Sequence, residues 1–98
     1  MDIERAFKSV MKEGKVVIGI RQTKKAIENG EAKAVVFAKN CPFKSDLIKI
    51  LKEKNIKYME FDGNGIELGY TCGKPFSIST FAVIDAGTSS ILKLFREG

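Results

Sequence analysis

Four runs of apolar residues divide the chain, and each is short enough to be a β-strand. They lie at residues 16–20, 34–38, 56–61 and 81–85. The first two, VVIGI and AVVFA, contain no polar side chain. Because a strand with one face in water would alternate polar and apolar residues, both are predicted to be buried strands.

The segments between these runs show the apolar spacing of amphipathic helices. A first helix precedes the first strand, with Asp2 as its N-cap candidate and Gly14 at its end. A second helix is predicted from Thr23 to Asn29, ending at Gly30, and a third follows the second strand with Ser45 as its N-cap.

Two more helices are predicted, one before the fourth strand and one after it. Asn64 and Glu67 have the spacing of a capping box, which predicts a short helix closed by Gly73. Thr88 or Ser89 is predicted to cap a last helix, which carries the apolar residues Ile91, Leu92 and Phe95.

Helices therefore alternate with strands along the whole chain, as is typical of α/β proteins. The sequence predicts a three-layer α/β/α sandwich with a four-stranded mixed sheet. Its 98 residues suffice for one core but not for two, and no repeat or linker interrupts them. We expect a single domain over residues 1–98.

Composition excludes several classes of protein. The chain has no histidine and two cysteines, Cys41 and Cys72, so the usual zinc site and the histidine-dependent nucleophile pairs are not expected. No apolar stretch reaches the roughly 18 residues that a membrane span needs, and the N-terminus does not resemble a signal peptide. A cytoplasmic protein with no catalytic residue, metal or cofactor is the expectation.

The net charge of +5 is concentrated in three connections, at residues 19–25, 39–44 and 69–77. They contain no acidic residue and six of the seventeen basic ones. The rest of the chain therefore has eleven basic and twelve acidic residues. The first two connections each follow a buried strand and precede a helix. Because such connections gather at one edge of an α/β sheet, the sequence predicts a basic edge that binds an anion.

The other side chains of these connections suit nucleic acid. Gln22, Thr23 and Asn40 are short polar groups, and glycines let backbone N–H groups approach phosphates closely. Phe43 and Phe76 would offer stacking surfaces to unpaired bases if they are exposed. Burial in the core is an equal alternative for each ring.

Two classes of enzyme fit the sequence less well. No phosphate-loop motif GxxxxGK[ST] is present, which argues against a nucleotide-binding enzyme. The segment from Val35 to Asp62 is similar to the first βαβ unit of a glutaredoxin, with Cys41-Pro42 at a helix N-terminus. However, Lys44 stands where that family has cysteine or serine, so a thiol redox enzyme is the less favoured alternative.

The segment ELGYTCGKPFSISTFAVIDAG, residues 67–87, resembles the signature of a family of ribosomal proteins. This is the archaeal and eukaryotic ribosomal protein thirty of the large subunit, within the kink-turn RNA-binding superfamily that includes the ribosomal seven-A type. GIRQTKKAIENGEAKAVVFAKN, residues 19–40, resembles the first half of the same family. Tyr70 departs from its pattern, which has a small residue there.

The resemblance implies a structural protein of the large ribosomal subunit that recognises a kink-turn, an internal RNA loop with tandem sheared G·A pairs. Gly19, Arg21 and Lys24 or Lys25 would meet the RNA backbone, Asn40 a guanine edge, and Phe76 a base splayed from the kink. The full set of RNA-binding residues that we expect is Gly19, Arg21, Gln22, Lys24, Lys25, Lys39, Asn40, Gly73, Lys74 and Phe76.

The expected partners follow from the same resemblance. They are rRNA and other proteins of the large subunit, with no membrane contact and a monomer when free. Another kink-turn binder, such as the core of a guide-RNA particle or a regulator of mRNA, is the alternative within this class. The short length of the chain fits an archaeal member of the family best.

Overall fold

The computed structural model describes residues 3–87. The predicted cap at Asp2 and the predicted last helix after Thr88 lie outside the described residues. The elements in chain order are α1 (Ile3–Glu13), β1 (Lys15–Ile18), α2 (Ile20–Glu28), β2 (Ala34–Ala38), α3 (Lys44–Glu53), β3 (Lys57–Phe61), α4 (Gly65–Thr71) and β4 (Thr80–Asp85).

The four strands form one mixed sheet in the order β1-β4-β2-β3. β4 runs antiparallel to both of its neighbours, β1 and β2, whereas β2 and β3 are parallel. Hence β1, β2 and β3 all point the same way, and their carboxyl ends lie at the edge of the sheet where β4 begins. The predicted α/β class and mixed four-stranded sheet are confirmed.

Each face of the sheet has its own apolar core, which gives the three layers. Successive residues of a strand point to opposite faces. Val36 therefore packs with Phe7 of α1 and Leu68 of α4. Val35 packs on the other face with Ile27 of α2 and Leu47 of α3.

The capping box predicted for α4 is present. The Glu67 N–H donates to the Asn64 side chain at 2.9 Å, and the Asn64 N–H donates to the Glu67 carboxylate at 3.3 Å. Gly73 follows the helix with a φ of 79°, in the left-handed region that glycine adopts at helix ends. Both ends of this short helix were thus predicted correctly.

Three local predictions were wrong. The helix α2 begins at Ile20 rather than Thr23, because the chain turns at Gly19, whose φ is 104°. Ser45 lies inside α3, whose N-cap is Phe43 and has no side-chain hydrogen bond. The strand β1 is only half-buried, because it lies at an edge of the sheet and pairs with β4 alone.

Candidate nucleic-acid interface

The first two basic connections lie at one edge of the sheet, as predicted, and the third leads to the strand that begins there. The N–H of Gly19 donates to the Thr80 carbonyl at 2.9 Å, which joins the end of β1 to the start of β4. The N–H of Ala38 donates to the Ser79 carbonyl at 2.8 Å, which joins the end of β2 to the same segment. We call residues 19–25, 39–44 and 69–77 together the basic edge.

Gly19 occupies the point where β1 turns into α2. Its φ of 104° is a conformation that other L-residues rarely adopt, and a Cβ added there would meet no atom within 4 Å. The backbone therefore requires glycine although the space in front of it is open. That open space allows a ligand to approach the first turn of α2 closely.

Asn40 links the basic edge to the start of α4. Its Oδ1 accepts a hydrogen bond from the Gly65 N–H at 3.0 Å, so the residue after β2 holds the first turn of α4. The amide nitrogen Nδ2 has no hydrogen-bond partner within residues 3–87. The carboxamide is thus fixed by its oxygen, with both N–H donors available to a ligand.

The two lysines of α2 point to different places. Lys24 is half-buried, and its Nζ lies 5.0 Å from the centroid of the Phe43 ring, so it faces the connection between β2 and α3. Lys25 is exposed and lines a separate groove with Val17 and Gln22, on the side of the edge strand. Within the basic edge, Lys24 therefore lies beside the second connection, whereas Lys25 lies in the groove next to β1.

Two acids at the carboxyl end of β3 reach the basic edge. Lys44 Nζ lies 2.6 Å from the Glu60 carboxylate, and Lys39 Nζ lies 3.9 Å from that of Asp62. The sequence of the three connections did not indicate these two ion pairs, because the acids come from a different part of the chain. The Lys39–Asp62 pair is largely exposed and contributes little stability, so Lys39 can exchange its partner for a phosphate.

The two phenylalanines of the basic edge lie outside both cores. Phe43 is 47% exposed and Phe76 is 52% exposed. Both rings are therefore surface residues that can stack on a base, and neither is a core residue. Thr23 differs from the expectation, since it is fully buried on the inner face of α2 and its Oγ1 has no hydrogen-bond partner in the described part of the chain. It is therefore not a donor of the interface.

The loop that follows α4 carries Gly73, Lys74 and Phe76. The Lys74 N–H donates to the Gly69 carbonyl at 2.9 Å, which fixes this loop against the last turns of α4. The side chain of Lys8, on α1, packs beside Gly73, at 3.6 Å from where a Cβ would be. No local sequence signal connects Lys8 with this loop, because the contact depends on the packing of α1 against α4.

The cysteines are buried free thiols on opposite faces of the sheet. Cys41 belongs to the core under α2 and α3, and Cys72 to the core under α1 and α4, so the sheet separates them. Burial raises the pKa of Cys72 to about 12, against an opposing effect of nearby Lys74. Within residues 3–87 no group of three or more potential ligands is placed to hold a metal ion.

The raised pKa of Cys72 predicts a pH dependence of stability. The unfolded thiol ionises near pH 9.0, whereas the folded thiol stays protonated until about 12, so its contribution is fully present below 9.0 and lost as pH rises to 12. We expect the difference in unfolding free energy between wild type and Cys72→Ala to shrink over this range in urea titrations at pH 8 and 10.5. An unchanged difference would contradict the assignment.

No helix among the described residues is long and apolar enough to cross a membrane.

Comparison with known proteins identifies close relatives. The model of the ribosomal protein L7Ae/L30e/S12e/Gadd45 family matches residues 1–93. The large ribosomal subunit protein eL30 of Methanosarcina mazei is 45% identical, over 94% of this chain and 87% of its own length. Those of Methanospirillum hungatei and Sulfurisphaera tokodaii are 41% and 39% identical, over 98% and 97% of this chain and 100% and 92% of their own lengths.

Proposed function

The chain belongs to the ribosomal protein L7Ae/L30e/S12e/Gadd45 family, and we propose that it is a component of the large ribosomal subunit that binds a kink-turn in rRNA. Residues 1–98 act as one RNA-binding domain, monomeric when free, beside other proteins of the subunit. The observation that carries the proposal is the basic edge. It brings backbone donors, cations and exposed aromatic rings to one side of the sheet.

Each element of this edge suits a different part of a folded RNA. Gly19 gives the backbone at the start of α2 room to approach phosphates, and Arg21 and Lys24 supply charge there. Asn40 presents its amide donors to the acceptor edge of a guanine.

The loop after α4 contributes the remaining contacts. Gly73 and Lys74 lie along the RNA backbone, and the exposed ring of Phe76 stacks on an unpaired base. Gln22 and Lys25 contact the RNA from the groove beside β1. Lys39 exchanges its ion pair with Asp62 for one with a phosphate.

The decisive experiment compares two RNAs at one salt concentration. Wild-type protein is titrated with a kink-turn RNA and with a duplex of equal length that lacks the G·A pairs. We expect at least about a hundredfold tighter binding to the kink-turn, because base contacts and RNA shape add to charge attraction. Equal affinity for both RNAs would leave only nonspecific binding by a basic surface.

The same titration with Lys24→Ala and Lys25→Ala provides a matched pair, since both remove one charge from α2. Lys24→Ala is expected to weaken kink-turn binding by about 1.5 kcal/mol and Lys25→Ala by about 0.5 kcal/mol or less. A larger loss for Lys25→Ala would reverse the roles given to the two lysines.

A further inference from the structure

A groove with two aromatic side chains lies at one end of the basic edge. It is formed between α4 and the segment that leads to β4, and its volume is about 250 Å³. Its lining residues are Ile66, Tyr70, Pro75, Phe76 and Ser77. Ile66 is 59% exposed and Tyr70 69% exposed, which is unusual for large apolar side chains next to each other and indicates a binding surface.

Two glycines make the groove rigid. A Cβ at Gly69 would collide with the Phe76 carbonyl oxygen, so glycine lets the loop backbone press directly on α4. One turn earlier, the Gly65 carbonyl accepts from the Ile78 N–H at 2.9 Å. The walls of the groove are therefore held by backbone contacts.

The chemistry of the groove favours a nucleobase. Tyr70 and Phe76 offer aromatic faces, and every base has a π-face that stacks on such rings. No acidic side chain lines the groove, and Lys74 immediately precedes Pro75 of its wall. This combination of aromatic faces with a flanking cation suits a base with its phosphate better than the apolar side chain of a protein.

We infer that the groove holds an unpaired nucleobase of the bound RNA, with Tyr70 as a second stacking surface in addition to Phe76. The inference rests on the proposed function, because it concerns the same RNA. Tyr70 departs from the small residue that is usual at this position in the family that the sequence resembles. The groove would thus add a second aromatic side chain to the contact with an unpaired base that the resemblance implies for Phe76.

The test uses Tyr70→Leu and Tyr70→Phe in the full chain. Leucine keeps an apolar side chain but removes the aromatic face, whereas phenylalanine keeps the face and removes only the hydroxyl. We expect Tyr70→Leu to weaken binding of the kink-turn RNA about fivefold to 150-fold, and Tyr70→Phe less than about twofold. Because Tyr70 lies on the surface, both variants should fold, and thermal unfolding checks this.

A set of kink-turn RNAs with an abasic site at each unpaired position in turn identifies the base. At one position wild type and Tyr70→Leu should bind with equal affinity, because the stacking partner has been removed from both.

If wild type still prefers the kink-turn over the duplex but Tyr70→Leu binds every RNA as wild type does, the inference is wrong. The groove then belongs to a protein partner, and the proposed function is untouched. If wild type does not distinguish the two RNAs, the proposed function itself fails.

Discussion

Replacing Asn40 by aspartate is expected to weaken kink-turn binding by roughly a hundredfold or more while leaving the fold intact. Aspartate keeps an oxygen that accepts from the Gly65 N–H, now 3.0 Å from Oδ1, so the link to α4 remains. It loses both amide donors, however, and it places a negative charge against the RNA. Affinity measured at constant salt and thermal unfolding of the free protein are the two readouts.

Asn40→Ala is the matched control, because it removes the acceptor as well as the donors. The Gly65 N–H then loses its partner. We expect the free energy of unfolding to fall by about 1 kcal/mol, which lowers the melting temperature by about 4–8 °C. RNA binding should weaken by about 1–3 kcal/mol, less than for aspartate, since no charge is added. If the aspartate variant binds RNA as tightly as wild type, Asn40 does not contact the RNA.

Phe7→Ala is expected to lower the free energy of unfolding by about 3–5 kcal/mol. The Phe7 side chain is completely buried, and its ring lies 5.5 Å from that of Phe81 and 6.2 Å from that of Phe61. It is therefore the contact between α1 and two strands of the sheet. A small domain has about 5–15 kcal/mol of stability in total, so this one cavity removes a large part of it.

Urea unfolding followed by circular dichroism measures this loss, with Phe43→Ala as the control. Phe43 has a ring of the same size but is half exposed and lies outside both cores, so its removal should cost about 1 kcal/mol or less. Similar losses for the two variants would mean that α1 does not pack on the sheet as described.

The strands and most helices could be predicted from the sequence because their signals are local. AVVFA has no polar residue and is buried at every position, and Asn64 with Glu67 forms the predicted capping box. The placement of the basic connections followed from the direction of parallel strands. For the strand and the capping box, the residues that determine the structure are neighbours in the chain.

The errors occurred where distant residues decide the outcome. The exposure of β1 depends on its position at the sheet edge, and the strand order cannot be deduced from the apolar pattern. The partners of Lys39 and Lys44 come from the far end of β3. The start of α2 is a local case, but the signal there is a backbone turn at glycine rather than a polar cap.

The position of β4 has a consequence for the time at which the protein becomes able to bind RNA during its synthesis. β4 is the last described strand to leave the ribosome, yet it lies between β1 and β2, and β1 has no other neighbour within residues 3–87. A nascent chain that stops before Thr80 therefore cannot close the sheet or bring the three basic connections together. We expect incomplete chains that lack β4 to be unable to occupy the RNA site, which reserves it for molecules whose synthesis has passed this strand.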